Sequence, residues 1–182
     1  MGQRPKKDRF MPDVFVFPGG RVDPEDAQIN VAAGLRPRET RRIGVGLSAQ
    51  RTQKLAVAAV RETYEETGLL FGERISGEFR PSLKGLEYIA RAITPTQSRI
   101  RYHARFFMAR GEEAQGRLRS NGELLGLRWM SFPQAAALPL VDVTRFVLEE
   151  AEYRLSGGRF RGIPLICYRR GAIQLRYQQD PK

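Results

Sequence analysis

One cysteine, one histidine and no long apolar run set the first limits on this chain of 182 residues. Cys167 alone cannot form an internal disulfide, which suits a reducing compartment. A zinc centre built from several His and Cys ligands is excluded. Any Ser–His–Asp or Cys–His nucleophile would have to run through His103. No stretch approaches the roughly 18 apolar residues that a spanning helix needs. Met1 to Phe10 is charged and has no apolar h-region, so no signal peptide is expected and the expected setting is the cytoplasm. An intrinsic metal site would be left with carboxylate oxygen, which favours hard cations such as Mg²⁺ or Mn²⁺.

What the chain has in plenty is positive charge: 31 basic against 20 acidic side chains, a net charge of +11 and a pI near 10.5. Such an excess can steer a nucleotide or polyphosphate substrate, bind RNA, or remain solvated surface. With 41% apolar and 28% charged residues the composition is globular, and the length suits one domain over 1–182.

The apolar run Phe10 to Phe17 stops at Pro18-Gly19-Gly20, a turn signal. From residue 27 to 54 six basic side chains, Arg36, Arg38, Arg41, Arg42, Arg51 and Lys54, face one acid, Glu39. Gly34, Pro37, Gly44 and Gly46 interrupt periodicity there, so the segment reads as an irregular, exposed, basic loop. Ala56, Ala58 and Ala59, with Val57, Val60 and Tyr64 on one side, predict a helix from about Gln53 to Leu70, stopped by Gly68. Strands are expected over Leu86–Ala92, Tyr102–Ala109 and Leu125–Trp129, with Trp129 in the core. Ser131 reads as the cap of a short helix through Ala137. A longer helix is expected over Thr144–Leu155, then a hairpin of Ile163–Arg169 with Ala172–Tyr177 around Arg170-Gly171. Helices and strands mix without βαβ alternation, which favours an α+β class.

The segment Arg61-Glu62-Thr63-Tyr64-Glu65-Glu66-Thr67-Gly68-Leu69 carries the chemical signal. On a helix Glu62, Glu65 and Glu66 share a face, and like charges at i, i+4 repel by about 0.2–0.5 kcal/mol. Either this is a solvated acidic face relieved by Arg61, or the carboxylates surround a divalent cation.

Together with Phe17-Pro18-Gly19-Gly20-Arg21-Val22-Asp23-Pro24-Glu25-Asp26, this segment resembles the Nudix hydrolase box. That pattern is Gly, five residues, Glu, seven residues, then Arg-Glu-U-x-Glu-Glu-x-Gly-U, with U apolar. Here the acidic position after Gly20 falls on Asp26, Thr63 stands at an apolar position, and 34 residues rather than seven separate the halves. Phe10-Met11-Pro12 and Arg105-Phe106-Phe107 add a likeness to the long-insert branch that includes the peroxisomal coenzyme A diphosphatase of mammals. Asp180-Pro181-Lys182 does not resemble the Ser-Lys-Leu address, so that location is not carried over.

The resemblance implies a Nudix fold, a mixed sheet between helices with a basic insertion inside the box. It implies a Mg²⁺- or Mn²⁺-dependent hydrolase that cleaves a pyrophosphate linkage. Coenzyme A or acyl-CoA would come first as substrate, ahead of ADP-ribose, NADH or a dinucleoside polyphosphate. Glu62, Glu65 and Glu66 would hold the metal, Glu62 being also the candidate base, and Arg61 would orient them. Gly19 and Gly20 would make the turn that brings the halves together, and Gly68 would end the helix. Arg41, Arg42 and Arg51 are candidates for an extra substrate phosphate. A further acid is expected from Glu112, Glu113 or Glu123. Met1-Gly2-Gln3-Arg4 reads as the tail of the strand that precedes the turn in this family. A homodimer is a possible assembly, and the rival reading is a silent nucleotide- or RNA-binding module of the same fold.

Overall fold

Two short strands, β1 (Gly2–Gln3) and β2 (Phe15–Val16), pair antiparallel at the start of the chain. The structure, a computed structural model, describes residues 1–7, 11–95, 97–98, 101–169 and 172–181; Phe10 and the Arg170-Gly171 turn lie outside the described residues. A 3₁₀ turn at Pro24–Ala27 precedes helix α1 (Pro37–Ile43) and helix α2 (Ala49–Thr67). Strand β3 (Leu69–Leu70) follows, then β4 (Gly72–Ile75) and β5 (Glu78–Pro81), which form a hairpin. The central strands are β6 (Glu87–Ile93) and β7 (His103–Met108). After β8 (Gln115–Gly116), which pairs with β3, come helices α3 (Phe132–Ala136) and α4 (Asp142–Leu155). Strands β9 (Ile163–Arg169) and β10 (Ala172–Gln178) close the chain.

The main sheet runs β10-β9-β6-β7, with β6 and β9 parallel and the other pairs antiparallel. It is the mixed sheet of an α+β fold. One face packs on α2, where Ala56, Val57 and Val60 meet Leu83 and Leu86. The other packs on α4, where Val147 joins Ile89, Ala90, Ala92 and Ile166. A bulge between Tyr88 and Ala90 interrupts the ladder. Arg154 of α4 donates to the Tyr88 and Ile89 carbonyls there, at 3.3 and 3.2 Å.

Helix α2 starts four residues before the expected Gln53 because the Ser48 side chain accepts from the Arg51 amide at 3.3 Å. It ends at Gly68, whose φ of +71° and bond to the Tyr64 carbonyl make a left-handed cap. The short α3 carries the reciprocal Ser131–Gln134 capping box.

Segment 27–54 is not an exposed loop. Ala32 and Ala33 hydrogen-bond to Pro81 and Leu83 beside β5, and Ile43 is buried with Tyr88 and Ile163. Glu39 of α1, fully buried, accepts from the Tyr88 amide at 2.9 Å and from Arg42 at 3.3 Å. Arg42, only 5% exposed, forks onto Asp180 at 2.6 and 2.8 Å and lies 4.0 Å over the Phe160 ring. The insertion is therefore clamped into the fold between β6 and the segment after β10. These partners lie far along the chain, so local periodicity carries no trace of them.

The strand expected over Leu125–Trp129 does not form. Gly126 takes a φ of +57°, which interrupts an extended run. Leu125 makes a bridge to Gln3, exchanging two bonds of 2.8 Å, while Leu124 rather than Leu125 is buried. Trp129 is 65% exposed, against Gly111, and not in the core.

Removing Arg42 leaves Glu39 without its buried counter-charge, with only half-exposed Arg38 to answer it, so Arg42→Ala is expected to lower unfolding stability by about 3 kcal/mol. Arg41→Ala, on the exposed side of the same helix, is expected to stay within about 0.5 kcal/mol. Urea denaturation of both variants checks the contrast.

Candidate functional site

The site is assembled by one side chain. Arg61 is on the last third of α2, and Asp26 is 35 residues earlier, in the turn after Pro24. Asp26 is fully buried and accepts from Arg61 Nε at 2.7 Å and Nη2 at 3.3 Å. Its own turn fixes it, since the Asp23 amide donates to its second oxygen at 2.7 Å. Arg61 Nη1 donates to Glu62 at 3.0 Å and to Glu65 at 2.9 Å. Nη2 also reaches the Arg21 carbonyl at 2.9 Å. The Asp26 hydrogen bond raises the guanidinium pKa above its ordinary value despite burial, so Arg61 stays charged.

The Pro-Gly-Gly turn closes on the same helix. The Gly19 amide donates to Glu66 Oε2 at 2.9 Å, and Gly19 holds a φ of +151° that favours glycine. At Gly20 the constraint is space: a Cβ there would stand 2.3 Å from the Glu62 carboxylate. Thus Gly19, Gly20, Asp26, Arg61, Glu62, Glu65 and Glu66 come together although the insertion splits them in sequence.

The carboxylates differ in environment. Glu65 is 49% exposed at its side chain. Burial pushes Glu62 up, opposed by Arg61. Glu66 is pushed up to about 7, first by burial and then by the charges of Glu62 and Glu123; the Gly19 bond and Arg4 act against this. Glu123 belongs to this electrostatic neighbourhood, on an exposed loop where Asn121 donates to it at 2.8 Å. Glu112 pairs with Arg110, and Glu113 lines a separate cavity of about 330 Å³ beside Gly85 and Phe71.

Among the described residues no three acidic, His or Cys groups converge closely enough to hold a metal ion, because Glu62 and Glu65 both turn to Arg61. The donor chemistry nevertheless fits a hard cation. All donors are carboxylate oxygens, and buried Glu66 has one hydrogen bond, from Gly19, against the repulsion of two acids.

The basic candidates separate. Arg42 is committed to Glu39 and Asp180 and is corrected to a structural cation. Arg41 is exposed on α1. Arg51 is exposed in the first turn of α2, eleven residues before Glu62, which is roughly 16 Å of helix rise. Sequence reasoning placed Arg4 in the tail of a strand and gave it no part in the site, whereas its charge acts on Glu66.

The NUDIX domain family model matches residues 48–150, more than half of the chain. A solved NUDIX hydrolase from Alicyclobacillus acidocaldarius is similar at 26% identity, covering 81% of this chain and 80% of that one, with a TM-score of 0.58. No curated protein matches the chain.

The raised Glu66 pKa sets the sign of a stability effect. Between about 4.5 and 7 the folded state holds a proton that the unfolded chain releases, so stability falls as pH rises through this window. In the presence of a chelator, wild type is expected to lose up to about 3 kcal/mol relative to Glu66→Gln between these limits. Urea titrations of both proteins at each pH check it.

Proposed function

The chain belongs to the NUDIX family and is a hydrolase of phosphorus-containing anhydrides, and on that premise we propose that it splits the pyrophosphate linkage of a nucleoside diphosphate derivative with Mg²⁺ or Mn²⁺ bound. Coenzyme A or an acyl-CoA is the preferred substrate class, ahead of ADP-ribose, NADH and dinucleoside polyphosphates. The reading includes a single domain over 1–182 in a reducing, cytoplasmic setting. The observation that carries it is the Arg61 fork, which joins Asp26 of one half-box to Glu62 and Glu65 of the other while Gly19 fixes Glu66.

Glu62, Glu65 and Glu66 would hold the cation. When bound, such an ion supplies charge neutralisation at the phosphoryl oxygens and a more acidic water. The chain's own groups do the rest. Arg61 orients Glu62 and Glu65 by a fork that Lys could not reproduce. Glu62 accepts the water proton at a carboxylate oxygen, in a site where burial already favours protonation. Gly20 leaves room for that carboxylate, and Glu123 adds negative charge from the neighbouring loop.

Glu65→Gln, at an exposed position, is expected to leave the fold intact and cut turnover about a hundredfold or more. Wild-type rates at saturating Mg²⁺ would refute the assignment, and a panel of pyrophosphate substrates scored by the mass of both products identifies the leaving group. Gly20→Ala meets only the end of a flexible side chain, so the melting temperature should hold while turnover falls roughly 10- to 100-fold. Joint replacement of Arg41 and Arg51 by Ala is expected to raise KM for coenzyme A more than for its dephospho form. Equal effects on both would remove the extra-phosphate role.

A further inference from the structure

Most arginines of the insertion and of α4 have an acid to answer them: Arg36 has Glu87, Arg38 and Arg42 have Glu39, and Arg154 has Glu150. A second group does not. Arg91 of β6 and Arg105 of β7 are direct cross-strand partners, and Ile93 opposite His103 continues the same register. Like charges set opposite each other in an antiparallel pair repel. Phe107, two residues from Arg105 on the same face, packs with Leu55 of α2 against Tyr88. Arg51, one turn before Leu55, is thereby carried toward Arg105 and His103, and its charge acts on both.

Among the described residues no carboxylate forms an ion pair with Arg51, Arg91 or Arg105. The groups facing His103 are Arg91, Arg105 and Arg51, all cationic. Arg105 hydrogen-bonds to the Tyr88 side chain, which is no counter-charge, and its Nε is buried with no hydrogen-bond partner among the described residues. Arg91 Nε donates to His103 Nε2. The capped start of α2, a 19-residue helix with no acid in its first turn, adds positive potential at the same end.

We propose that Arg51, Arg91 and Arg105, with His103, form a binding site for a phosphate dianion, at the opposite end of α2 from Glu62. A phosphate accepts from several guanidinium donors at once and matches their planar forks, which a chloride cannot do. It relieves the Arg91–Arg105 repulsion. The dianion is either free phosphate or the end group of a nucleotide. Arg51 is shared with the extra-phosphate role proposed above, whereas Arg91, Arg105 and His103 are not, so the site stands whether or not coenzyme A is the substrate.

The low affinity of His103 for a proton, with its pKa pushed down to about 4 by burial and by these arginines, accords with an uncompensated cationic pocket. As the chain has one histidine, His103 supplies one imidazole signal in a carbon–proton NMR spectrum. Wild-type protein is titrated at about pH 7.5, where phosphate is largely dianionic, with inorganic phosphate and separately with AMP. Ionic strength is held constant with sodium chloride. A saturable shift of the His103 signal is expected. Arg105→Gln and Arg91→Gln should each weaken the apparent affinity about tenfold or more. Arg51→Gln, at an exposed position, should act in the same direction. Equal affinity for both probes assigns the site to free phosphate, and tighter AMP binding to a nucleotide-borne group. A shift no larger than with sodium chloride alone, or one unchanged in Arg51→Gln and Arg105→Gln, overturns the proposal.

Discussion

The architecture depends on one buried ion pair, Arg61 with Asp26. A carboxylate with no exposed side-chain surface is tolerated only when its charge and lone pairs are answered, and Arg61 supplies both needs through a two-bonded fork. The same guanidinium must then serve Glu62 and Glu65 with its remaining donors. The turn holding Asp26 is thus fixed against α2 by the residue that arranges the acidic face. Loop closure over the intervening residues costs only slightly more than over a short loop, because that cost grows with the logarithm of length. A long insertion between the half-boxes is therefore compatible with a closed site.

The insertion does more than avoid harm. Through Glu39, Arg42 and Asp180 it ties the Tyr88 amide to the chain beyond β10, across 138 residues of sequence for the Arg42–Asp180 pair. Ile43 fills the core between Tyr88 and Ile163. These contacts order the segment independently of the Asp26–Arg61 pair, so each end of the split box is held from its own side.

Where local rules decide, the sequence was legible. Helix α2, its glycine stop, the capped α3, the main-sheet strands and the α+β class follow from periodicity, caps and turn residues. Residues that meet only through tertiary folding were not. Glu39 and Arg42 look like solvated charges until Tyr88, Asp180 and Phe160 arrive beside them. Leu125 and Leu127 alternate convincingly, but a left-handed Gly126 sits between them and Leu124 takes the buried position. The β4–β5 hairpin escaped because its strands are four residues each and half of those residues are charged. For the site, Arg61-Glu62-x-x-Glu65-Glu66 could be read as a helical face, whereas the approach of Gly19 and the influence of Arg4 required the folded chain.

The net charge of +11 is therefore not one property but the sum of unlike local balances. Around Glu66 burial, and after it the charges of Glu62 and Glu123, raise the carboxyl pKa. Around His103 burial, and after it the charges of Arg91, Arg105 and Arg51, lower the imidazole pKa. Both departures arise in the same fold, toward opposite ends of α2, where folding energetics alone would favour compensation. Arg42 shows that the chain can neutralise a buried cation when nothing outside is needed, since Glu39 and Asp180 both attend it. Charges left unanswered at two places, with opposite sign, are what a protein built to hold ligands of opposite charge would retain.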